Sequence, residues 1–171
     1  MTVTNPEAPP APTLPRYPEE LVASTAFLLM RLGFAAKERA MAAYEPTGLT
    51  PYHHAILATL DEGSRETQGA IADALGYDRG QLVGLLDELE EQGLVERRRD
   101  PGDRRRHLVR ITPDGRRALG RLRTLARRLE NELLSPLDER TREQLHTLLL
   151  QLAERHLPHC RGIAAPAPPP R

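Results

Sequence analysis

Seven arginines, Arg97, Arg98, Arg99, Arg104, Arg105, Arg106 and Arg110, stand between Leu94 and Arg110 against only Glu96, Asp100 and Asp103. Guanidinium groups are planar donors suited to carboxylate and phosphate oxygens. The whole chain has a net charge of +0, so this basic patch is local, as in a nucleic-acid footprint rather than a solvating tail. Upstream, Arg79 and Gln81 carry donors that match the edges of guanine and adenine, and Val83 offers an apolar surface to a thymine methyl. Gly80 and Gly84 beside them cost a helix about 1 kcal/mol each in propensity. Either surface glycine is simply tolerated there, or the backbone must come close to something. Neither a nucleophile–base constellation nor a phosphate-cradling glycine loop is visible, which argues against an enzyme.

These residues need elements to carry them. Thr67 is placed to cap a short helix with Ile71, Ala74 and Leu75 as its apolar stripe, and Gly76 to close it in the left-handed region. Asp78 then caps a second helix, with Gln81 at the reciprocal position of a capping box. Leu82, Leu85, Leu86 and Leu89 fall at i, i+3, i+4 and i+7, and Gly93 ends the run. With that stripe inward, Gly80, Gly84, Asp87 and Glu91 face out and Arg79, Gln81 and Val83 flank them. Helix, tight turn, helix is the helix-turn-helix pattern. Leu94–Arg97 and Leu108–Ile111 read as strands around the turn Asp100-Pro101-Gly102-Asp103, and Thr112-Pro113 starts another helix. The acids Asp87, Glu88, Glu90 and Glu91 would repel phosphate from the C-terminal half of the second helix. Its N-terminal half, whose backbone N–H groups favour a phosphate, would then enter a major groove.

The 171 residues suit one domain with a real core, or one domain plus a dimerisation element. Residues 1–16 and 158–171 are Pro-rich tails that bury no core. Residues 17–49 hold a long helix from Glu19 to about Tyr44, apolar on more than one face, and a linker; residues 50–115 hold the winged helix-turn-helix. Ser64-Arg65-Glu66 is a connector that could pair with the wing as a third strand. Residues 116–157 hold two leucine-striped helices, Arg116–Leu134 and Asp138–His156, which with the first helix suggest an intersubunit bundle. The fold class is mainly α with a small antiparallel β wing, a winged helix-turn-helix plus a helical dimerisation bundle. No apolar run nears 18 residues and no signal-peptide pattern occurs, so a cytoplasmic protein is expected.

The stretch LEEQGLVERRRDPGDRRRHLVRITPDG, with Asp103-Arg104-Arg105 ahead of Ile111-Thr112-Pro113-Asp114-Gly115, resembles the multiple-antibiotic-resistance regulator (MarR) family over roughly residues 45–155. That resemblance implies a homodimeric DNA-binding transcriptional regulator, a ligand-responsive repressor on a pseudo-palindromic operator. It implies that Arg105 enters a minor groove with Asp103 orienting it, while Arg98, Arg99, Arg104 and Arg106 serve the wing's contacts. It also implies a small effector between the reading lobe and the dimerisation helices, where Arg31, Tyr44, Tyr52, His53 and His54 are the polar or aromatic candidates. The alternative is a winged helix that binds protein and no DNA.

No cofactor or metal is expected. Adjacent His53 and His54 point about 100° apart on a helix and do not chelate together. Relatives that sense zinc also place ligands on the helix after the wing, but Arg116–Leu134 has no His or Cys. Relatives that sense hydroperoxide carry a cysteine near the start of the first helix. Here the single cysteine, Cys160, sits beside the C-terminal tail and reads as a bystander.

Overall fold

The computed structural model describes residues 16–63, 67–99 and 107–157. The chain divides into two units, Met1–Lys37 and Glu38–Arg171.

The single long helix expected from Glu19 to about Tyr44 is two helices, the second of which crosses the boundary between the units. A short α1, Glu19–Val22, ends at Ala23, and α2, Thr25–Tyr44, starts afresh. The reason is local. The Ser24 hydroxyl accepts from the Phe27 N–H at 3.3 Å, offering the backbone a capped start in place of a continuous helix. Tyr17 meets Phe27 edge-on at 5.2 Å, and the Arg31 guanidinium lies 5.4 Å from the Tyr17 ring centroid. Leu28, Leu29, Met30, Leu32 and Phe34 are exposed, so a face expected to be covered is open in the single chain.

The second unit is built from capped helices around one core. After a 3-10 turn at Glu45–Thr47 come α3 (Pro51–Asp61), α4 (Gln68–Leu75) and α5 (Arg79–Glu91). The hairpin of β1 (Val95–Arg99) and β2 (His107–Ile111) follows, then α6 (Pro113–Leu133) and α7 (Glu139–His156). Thr67, Asp78, Thr112 and Asp138 each accept backbone N–H groups at a helix start, and Gly76 (φ 66°) closes α4. The strands pair antiparallel from Val95 opposite Ile111 to Arg99 opposite His107. Ser64–Glu66 lies outside the described residues; a single bridge joins the next residue, Thr67, to Leu108.

The core takes Ile56 and Leu57 from α3, Leu82, Leu86 and Leu89 from α5, Val109 from β2, and Leu119 and Leu122 from α6. In α4 the buried pair is Ile71 and Ala72. Ala74, counted with the stripe in the sequence, faces solvent. Burying each large side chain contributes about 1.5–3 kcal/mol, which fixes α5 against α3 and the hairpin. α7 buries none of its residues, and its Leu148, Leu149 and Leu152 are exposed.

Candidate nucleic-acid interface

The outward side of α5 follows from its inward one. Leu82, Leu86 and Leu89 are buried, so Arg79, Gly80, Gln81, Val83 and Gly84 all face solvent in the helix's first half. Val83 is 41% exposed, a β-branched apolar side chain that the protein's own packing leaves uncovered.

The two glycines have different reasons to be there. At Gly80 a methyl group would stand 3.1 Å from the Asp78 carboxylate oxygen that caps the helix. That oxygen accepts from the N–H groups of Gly80 and Gln81 at 2.8 and 3.2 Å. Gly80 therefore makes room for a cap. The same two bonds occupy donors that a phosphate would need, which counts against an anion site at this helix end. At Gly84, by contrast, an added methyl group would meet nothing within 4 Å. The protein itself asks for no glycine there.

The acids of the second half are not a plain repulsive cluster. Arg97, on β1, reaches back to α5, with Nη2 on the Asp87 carboxylate and Nε 3.1 Å from Glu90. Its backbone N–H also donates to Glu90 Oε1 at 3.1 Å. One of the seven wing arginines is thus spent inside the protein. Arg98 pairs with Glu96 at 3.0 Å and, like Arg99, remains exposed. Asp103, Arg104, Arg105 and Arg106 lie outside the described residues.

Glu88 meets His53, a residue whose task the sequence conceals. His53 is 1% exposed, and its Nδ1 accepts from the Thr50 N–H at 3.1 Å while the Thr50 hydroxyl accepts from the His53 N–H at 3.3 Å. These reciprocal bonds make the capping box at α3, not at Gln81, whose helix is capped by Asp78 alone. With Nδ1 accepting, the ring proton sits on Nε2, 3.2 Å from the Glu88 carboxylate. The neighbouring His54 is half-buried and bonds through Nδ1 to the Tyr44 hydroxyl at 2.7 Å. Tyr52 contacts Tyr77 edge-on at 5.7 Å. Of the five effector candidates, Tyr44 and His54 form one polar pair, while His53 is a core cap and Arg31 belongs to the first unit.

Both histidines are held below the ordinary imidazole range near 6.5. Burial is the main cause at His53, partly opposed by Glu88; at His54 burial acts first and Arg123 adds to it. Below about pH 6.5 the unfolded chain takes up protons that the native chain refuses, so this contribution to stability is complete above that pH and is lost as pH falls. Denaturant titrations at pH 7.5 and 5.5 should show wild type losing stability at the lower pH. His53→Gln, though less stable throughout, should lose less between the two; an equal loss would place the titration elsewhere.

The MarR family model matches residues 47–106. A Thauera aromatica protein, named as a candidate transcriptional regulatory protein for the hcr operon, is 33% identical over 105 residues, 61% of this chain and 63% of that protein. The chain therefore matches less than two thirds of that relative's length. Among solved structures, the fold is similar to the transcriptional repressor CouR bound to a 23-mer DNA duplex, with 35% identity and a TM-score of 0.71 over 78% of this chain and 95% of that one. It is also similar to CouR from Rhodococcus jostii RHA1 bound to p-coumaroyl-CoA, with 32% identity and a TM-score of 0.66 over 78% and 94% of the two chains.

Proposed function

The chain belongs to the MarR family, and from that premise we propose that it is a sequence-specific transcriptional regulator, a homodimer on a pseudo-palindromic operator that leaves DNA when a small molecule binds. The observation that carries this reading is the first half of α5. Arg79, Gln81 and Val83 are exposed beside Gly84, while Asp87, Glu88 and Glu90 behind them have cationic or imidazole partners. That helix half enters the major groove, and the arginines of the hairpin hold the adjacent minor groove and its phosphates.

The uncovered leucines of α7 support pairing with a second copy, since exposed apolar faces of this kind are a liability in a monomer. The CouR complex with p-coumaroyl-CoA supports a small-molecule effector. In this chain the Tyr44–His54 pair is the polar group best suited to meet one. A ligand favouring a spacing of the two reading heads that does not fit the operator shifts the population off DNA. No described helix is long and apolar enough to cross a membrane, and a DNA partner puts the protein in the cytoplasm.

Binding-site selection with wild type and Gln81→Ala tests the reading. The variant should lose its preference at one position of each half-site, a cost of about 1–3 kcal/mol there, and keep the others. Identical preferences in the two proteins would mean that α5 does not read bases through Gln81.

A further inference from the structure

We infer that Arg97 is a positioning residue, a clamp that sets the hairpin's angle to α5, and not one of the arginines that touch DNA. The inference rests on the DNA-reading function proposed above. It deepens that reading by separating the hairpin's arginines into two kinds.

Three contacts carry it. From one residue of β1, the guanidinium spans the Asp87 and Glu90 carboxylates one helical turn apart on α5, and the backbone N–H adds a bond to Glu90. Arg97 is also enclosed: its side chain is 16% exposed, against 66% for Arg98 on the next residue. A strand sends successive side chains to opposite faces, so Arg97 turns to the helix and Arg98 away from it. Val109, opposite Arg97 in the hairpin, is buried in the core, so the clamped pair is anchored from below.

The consequences for DNA binding run in two directions. Asp87 and Glu90 are exposed carboxylates on the helix that faces the duplex. The single positive charge of Arg97 offsets one of the two, so the pair repels phosphate less than two free carboxylates would. The same contacts hold two reading surfaces, the N-terminal half of α5 and the hairpin, at one separation before DNA arrives. Sequence-specific binding needs both surfaces in place together, whereas non-specific binding needs only positive charge near phosphate. A clamp therefore acts on the ratio of specific to non-specific affinity. A phosphate contact would act on both alike.

The Arg–Lys distinction separates geometry from charge. A lysine keeps the charge but lacks the broad planar group that reaches both carboxylates at once. Full-length wild type, Arg97→Gln, Arg97→Lys and the double variant Asp87→Asn/Glu90→Gln should be titrated against an operator duplex recovered by selection and against a scrambled duplex. Arg97→Gln should lower operator affinity roughly tenfold or more, and scrambled-duplex affinity clearly less, the latter through the freed Asp87 and Glu90 charges. Arg97→Lys should recover little of the loss. The double variant removes two negative charges, so it should tighten the scrambled duplex and still weaken the operator. Because it breaks the clamp from the α5 side, it decides the matter even if Arg97→Gln proves poorly folded. Equal losses on both duplexes with a shallower salt slope, full recovery with lysine, or a tighter operator complex in the double variant would each overturn the clamp. Failure of wild type itself to bind either duplex would instead overturn the DNA-reading function, and the inference with it.

Discussion

Gly115→Ala should destabilise the fold by about 3 kcal/mol or more, a large part of the 5–15 kcal/mol typical of a domain. The added methyl group would stand 2.1 Å from the Leu94 carbonyl oxygen and 2.8 Å from Ile111 Cγ1. The Leu94 oxygen has little freedom to retreat, because it accepts from the Thr112 N–H at 3.0 Å and from the Thr112 hydroxyl at 3.2 Å. That hydroxyl shares its one proton with Gly93 O at 2.8 Å and accepts from the Gly115 N–H at 3.0 Å as the cap of α6. The first turn of α6 is thus pressed against the residue that links α5 to β1. Alanine would bring about 1 kcal/mol of helix propensity, which the clash with backbone outweighs. Urea denaturation of both proteins checks this, and a loss below about 1 kcal/mol would mean that the contact relaxes easily.

Gly84→Leu should do the reverse, leaving the free protein at least as stable while weakening operator binding roughly a hundredfold, or about 2.7 kcal/mol. No protein atom lies within 4 Å of a methyl group added at Gly84, so the side chain projects into solvent and the helix gains propensity. On DNA the same side chain would stand between the helix backbone and the groove floor. Gly84→Ala should stabilise by up to about 1 kcal/mol and weaken binding less. Thermal melts and operator titrations of the same preparations provide both readouts. Unchanged operator affinity in the leucine variant would put the duplex on another face.

Local signals are legible in the sequence because their partners lie within a few residues. The caps at Thr67, Asp78 and Thr112, the left-handed Gly76 and the α5 leucine stripe all rest on short-range bonds or on helical period, and each forms. The hairpin was legible for the same reason: its strands flank a strong turn sequence and pair from Val95 with Ile111 to Arg99 with His107. What the sequence hid depends on partners that it cannot place. His53 reads only as one of five effector candidates until Thr50 and, from another helix, Glu88 are set around it. Arg97 looks like its neighbours until the packing of β1 on α5 puts two carboxylates beside it. The capping-box rule expects Glu or Gln in the third helical position, so Thr50-Pro51-Tyr52-His53 does not read as one. At Ser24 a side-chain cap outweighed the apolar periodicity that joined α1 to α2.

The central claim is that two copies of α5 read two adjacent half-sites. A hydroxyl-radical footprint of the full-length protein on DNA bearing its selected site, taken at rising salt, tests it most directly. The account predicts two protected half-sites about 10 bp apart, centre to centre, related by a two-fold axis. Their protection should fade with salt as counterions reclaim the phosphates, on a log–log slope of about −0.9 per phosphate contact. Protection of one half-site only would contradict the paired reading, and no salt-dependent protection of any sequence would contradict DNA binding altogether and favour a winged helix that binds protein.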